Sequence, residues 1–85
     1  MNNNIKYQKN EKTNEDFLRQ VGKKVKFFRH LKGITQEALA HDAGLDRTFL
    51  GYVERGEKNI SVLNLKNIAD ALEVEISELL PQEET

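Results

Sequence analysis

The 85-residue chain contains no cysteine, one proline and two histidines. Without thiols it can build neither a disulfide framework nor a thiolate zinc site, and a reducing cytoplasm suits it. No apolar run approaches the roughly 20 residues of a membrane span, and no charged start leads into an apolar core as in a signal peptide. There is no glycine-rich phosphate loop, and His30 and His41 have no cysteine or clustered carboxylate at metal-ligand spacing. Too few histidines are present for a Ser-His-Asp arrangement. These absences exclude an enzyme, a bound cofactor, a metal and a membrane segment, and leave no evident small-molecule effector site. Both histidines fall near helix ends, where a cation interacts favourably with the dipole.

What is present is charge, unevenly distributed. The net charge is -1. Residues 17–58 nevertheless hold nine Lys and Arg against five Asp and Glu, a net +4, whereas residues 59–85 hold Lys66 against six acids, a net -5. One part of the molecule is suited to face a phosphate backbone and the other to avoid it.

Residues 1–14, MNNNIKYQKNEKTN, lack apolar periodicity and read as a flexible N-terminal tail, either simply disordered or an arm able to reach a DNA groove. From Glu15 a helical period begins, with Phe17, Leu18, Val21, Val25 and Phe28 on one side and Lys32-Gly33 as its end. Thr35 caps a second helix with Leu39, Ala40 and Ala43 inward, and Gly44 ends it. Asp46 caps a third, DRTFLGYVER, which Gly56 terminates. Ser61 starts a fourth whose Val62, Leu65, Ile68, Ala69 and Leu72 share a stripe. A fifth segment, EISELL, stops at Pro81, leaving 82–85 as a C-terminal tail. With no strand-like alternation, the expectation is an all-α domain of five short helices over residues 15–81.

Gln36, Ala40, Gly44, Leu50 and Val53 form the informative pattern. Two helices crossing steeply need a small residue where they touch, a turn residue tolerant of positive φ, and inward apolar groups on the second helix. These five supply them, which defines a helix-turn-helix over residues 35–55. Stepping the third helix at about 100° per residue turns Phe49, Leu50 and Val53 inward and Arg47, Thr48, Gly51, Tyr52 and Arg55 outward. Arginine forks onto guanine, threonine offers a hydroxyl and a methyl, and tyrosine a hydroxyl and a ring, so this face suits a major groove. Phe49, at the border, either finishes the core or reaches a thymine methyl. Gly51 costs about 1 kcal/mol relative to alanine inside a helix, and its outward position suggests close approach of the backbone to the groove.

The stretch from about Val21 to Leu80 resembles the Cro/C1-type (XRE) helix-turn-helix family, through ITQEALAHDAGLD, YVERGEKN and IADALEVEISELL. Within it, LDRTFLGYVERGEKN is most similar to the controller proteins of restriction-modification systems. The resemblance implies a lambda-repressor-like DNA-binding domain in a cytoplasmic regulator of bacterial or phage origin. It implies base contacts from Arg47, Thr48, Tyr52 and neighbouring Phe49. Gln36, Lys58 and Asn59 would contact the DNA backbone, and Arg55, at the end of the outward ridge, is grouped with them. Arg29 and Glu54 match a partly buried salt bridge. Ile60 stands where relatives often carry proline.

The implied partners are double-stranded DNA, a second copy of the chain on a palindromic operator, and RNA polymerase, blocked or contacted by the bound protein. Leu63, off the stripe of the fourth helix, would join Ile76, Leu79 and Leu80 in a dimer patch, unless the fifth segment covers its own core. The rival reading, supported by the acidic 59–85 region, is an antitoxin or adaptor that holds a protein partner, with DNA binding secondary.

Overall fold

A computed structural model describes residues 11–82 of the chain, and among them there are helices and turns but no strand. Helix α1 spans Glu11–Lys32, α2 Gln36–Ala43, α3 Arg47–Glu54 and α4 Val62–Leu72, and a 3-10 turn over Ile76–Leu79 follows. The all-α helix-turn-helix class holds, but the count of five short helices does not. Among the described residues there are four α-helices, the first of them 22 residues long, and the fifth segment is a single tight turn. Its backbone is held by Glu78, whose Oε2 accepts from the Glu75 N–H at 3.1 Å.

Helix α1 also begins earlier than expected. Residues 11–14, assigned to the tail, form its first turn, which is polar and so carries no apolar period to read. Residues 1–10 of the expected tail lie outside the described residues. Of the expected C-terminal tail, residues 83–85 lie outside them too, while Gln82 is described. Its Nε2 donates to the Ser77 carbonyl at 2.9 Å and the Leu80 carbonyl at 3.2 Å.

Local signals set the remaining boundaries. The Thr35 hydroxyl accepts from the Ala38 N–H at 3.0 Å, the Asp46 carboxylate from the N–H groups of Thr48 and Phe49 at 3.0 and 3.2 Å, and the Ser61 hydroxyl from that of Asn64 at 3.0 Å. Each satisfies N–H groups that a helix start leaves without an intrahelical partner. Between α2 and α3, Gly44 adopts φ 71°, a left-handed conformation that turns the chain without steric cost to a side chain. The residue that caps the end of α4 is less suited to such a conformation, for Glu73 takes φ 62°. Lys32 supports that end by donating to the Ala71 carbonyl at 2.7 Å, placing a cation at the negative pole of α4.

The core gathers Val21 and Val25 from α1, Leu39, Ala40 and Ala43 from α2, Leu50 from α3, and Leu65, Ile68, Ala69 and Leu72 from α4. Leu79 completes it from the 3-10 turn and is 0% exposed. Its assignment to a dimer patch is therefore corrected, because the turn folds this side chain onto the protomer's own core. Two inward assignments change as well. Val62, at the first position of α4, is 78% exposed, since the helix starts before it reaches the core. Phe17 is also exposed, near the N-terminal half of α1, while the continuation of its stripe at Val21 and Val25 is buried.

Candidate nucleic-acid interface

Helix α3 has one face locked and one open. Leu50 and Val53 are buried, whereas Arg47, Thr48 and Tyr52 are exposed on the other side. Phe49 is half-buried at the border, outside the main core cluster. The expected base-facing residues thus share an accessible surface at the N-terminal end and middle of the helix, with Phe49 at its rim.

The locked side is held by a charged network. Arg29 from α1 donates to the Glu54 carboxylate twice, from Nε to Oε2 at 2.6 Å and from Nη2 to Oε1 at 3.0 Å. Its Nη1 donates to the Ile34 carbonyl at 3.0 Å. The two side chains are only 9% and 2% exposed, so this is a buried pair. A third donor reaches the same carboxylate, because Gln36 Nε2, at the first position of α2, lies 2.9 Å from Glu54 Oε1. The Arg29–Glu54 pair at the end of α3 therefore ties together α1, the loop after it and the start of α2. Among the described residues no buried side-chain nitrogen or oxygen is left without a partner, which is what makes a buried ion pair tolerable.

Beyond α3, a cationic cluster surrounds one ring. The Arg55 guanidinium lies 5.1 Å and the Lys58 ammonium 5.6 Å from the centre of Tyr52, within cation–π range. Arg55 Nε also donates to Glu57 Oε1 at 3.0 Å. Lys58 and Asn59 are exposed. The residues expected to contact the DNA backbone after α3 are therefore contiguous with Tyr52, whereas Gln36 flanks α3 from the other side with one amide hydrogen bond already committed to Glu54.

Gly51 is not the open surface that stepping round an isolated helix suggests. It is buried, and a Cβ placed on it would lie 3.4 Å from Arg55 Nη1 and 3.8 Å from Gln36 Oε1. Side chains from the next turn and from α2 roof it over, an arrangement that treating α3 alone cannot reveal. The glycine that matters more for packing is Gly22, which sequence reasoning missed. A Cβ there would overlap the backbone oxygens of Val53 and Glu54. A glycine inside a helix is the signal that could have found it, the same signal that singles out Gly51.

Of the expected dimer patch, Leu63 is 67% exposed and sits beside exposed Val62, and Ile76 and Leu80 are half-buried. Leu79 is excluded by its burial.

Residues 25–79, which contain the whole of α2, α3 and α4, match the helix-turn-helix family HTH_3. The chain belongs to that family. Its members include DNA-binding transcriptional regulators, and the proteins this chain is similar to include control protein C.SmaI of Serratia marcescens, 35% identical over 63 residues, covering 74% of this chain and 75% of that one. Control protein C.MunI of a Mycoplasma species is 37% identical over 65 residues, covering 75% and 88%. Among solved structures, the restriction-modification controller protein C.AhdI from Aeromonas hydrophila superposes with a TM-score of 0.73 at 43% identity, covering 74% of this chain and 96% of that one.

Proposed function

We propose that this HTH_3 protein is a sequence-specific transcriptional regulator that binds a roughly palindromic operator as a homodimer. Arg47, Thr48 and Tyr52, with Phe49 at the rim, read base edges from the major groove, and Gln36, Arg55, Lys58 and Asn59 engage the backbone. The observation that carries this reading is the division of α3. Its outward face presents an arginine, a threonine and a tyrosine, while Glu54 at its end is fixed by α1 and α2 together.

Dimerisation through Leu63, Val62, Ile76 and Leu80 places two copies of α3 in successive major grooves, with half-sites about one helical turn apart. Occupancy then acts on transcription by blocking RNA polymerase or contacting it. The similarity to control proteins supports a narrower role, as the autoregulatory controller of a restriction-modification system in which the dimer governs its own operon and a restriction gene.

Selection of bound duplexes from a random-sequence pool tests the reading. A two-fold symmetric enriched site is expected. Recovery of no enriched sequence would defeat it.

A further inference from the structure

Helix α1 carries cations in a pattern that the base-reading and backbone-contacting residues do not use. Arg19, Lys23 and Lys26 are all exposed, and at about 100° per residue they fall within about 60° of the helix circumference. This makes them one edge rather than a scattered surface. Gly22, whose backbone is pressed against the carbonyls of Val53 and Glu54, lies about 40° round from Lys26. The basic edge therefore borders the line along which α1 touches the C-terminal end of α3.

At its N-terminal end the edge meets the loop after α3. A Cβ on Gly56 would lie 2.7 Å from Arg19 Cα, so the two backbones are in contact. The chain runs directly from Gly56 into Glu57, Lys58 and Asn59. Arg19 is paired with Asp16, but among the described residues neither Lys23 nor Lys26 has a carboxylate partner. The uncompensated charge on this edge is theirs.

We infer that this edge of α1 is a further contact with the DNA phosphate backbone, made chiefly by Lys23 and Lys26 and continuing the contacts of Lys58 and Asn59. The inference rests on the DNA-binding reading above. From position 23 to position 26 the helix advances about 4.5 Å, a little more than the axial run of one nucleotide step of one strand. Two free ammonium groups on that length can each neutralise a phosphate and release its counterion.

The test is the salt dependence of affinity for a short duplex of arbitrary sequence, measured on the full chain. The parent is compared with the double variant Lys23→Gln/Lys26→Gln, in which glutamine retains helix propensity. The slope of log affinity against log salt should become shallower by about 0.9 for each phosphate no longer neutralised, about 1.8 for both. Lys24→Gln removes a charge from the same helix about 100° round from Lys23 and should leave the slope unchanged. An unchanged slope in the double variant, or an equal loss per charge in Lys24→Gln, would overturn the inference while leaving the DNA-binding reading intact. A parent that binds no duplex at any salt concentration would overturn both.

Discussion

Arg29 and Glu54, 25 positions apart in the chain, meet in a buried two-point ion pair whose closer contact is 2.6 Å. Glu54 is the last residue of α3, and the pair anchors that end of the helix to α1. Removing one partner leaves the other charge buried and alone. Glu54→Ala should cost about 3–5 kcal/mol of stability, read by urea denaturation. A variant that unfolds at the parent's midpoint would show that the pair is not holding α3.

Two glycines inside helices should respond in opposite directions. Gly22→Ala forces a methyl into the Val53 and Glu54 carbonyls, which are backbone and cannot turn aside. A loss of about 1–3 kcal/mol or more is expected, as for other overpacked sites. At Gly51 the same methyl finds ordinary contact distances of 3.4 and 3.8 Å, so Gly51→Ala should gain up to about 1 kcal/mol from helix propensity. Thermal melts that rank the two variants the other way would contradict the packing described.

The end of α4 contains a local conflict that a substitution can remove. Glu73 sits at φ 62°, where a side chain is crowded against its own backbone and glycine is not. Its 3.7 Å pair with Lys32 is largely solvated on the glutamate side and adds little. Glu73→Gly should therefore raise stability by up to about 1 kcal/mol, visible as a higher midpoint in urea. A lower midpoint would mean that the carboxylate contributes more than its geometry indicates.

The proposed dimer would use apolar surface at the start of α4, where Val62 and Leu63 are exposed. Leu63→Asp puts a charge on an exposed position and should leave the protomer folded while shifting sedimentation equilibrium from dimer toward monomer. Parent and variant sedimenting alike would remove Leu63 from the interface.

Features that depend on neighbouring residues were readable from the sequence. Thr35, Asp46 and Ser61 cap their helices because capping is decided within three or four residues. The helix-turn-helix was legible because Ala40, Gly44, Leu50 and Val53 encode a close crossing in residue size and spacing. Features that depend on remote segments were not. Val62 fits the stripe of α4 by period, yet the core does not extend to it. Leu79 belongs to an apolar cluster in the sequence, and only the folding back of the 3-10 turn separates it from Ile76 and Leu80. Gly51 looks outward until Gln36 and Arg55 are laid over it. The resemblance to a family named Arg29 with Glu54, but the third donor, Gln36, needed the arrangement of three helices.

The central claim is that α3 reads bases through Arg47 while Lys58 holds the backbone. The most direct measurement profiles the base preference of Arg47→Ala and Lys58→Ala against the parent across a random-sequence pool. Arg47→Ala should lose about 1–3 kcal/mol of discrimination at one base position, and Lys58→Ala should weaken all sequences alike with the preference unchanged. An Arg47→Ala protein that keeps the parent's preference at every position would contradict it.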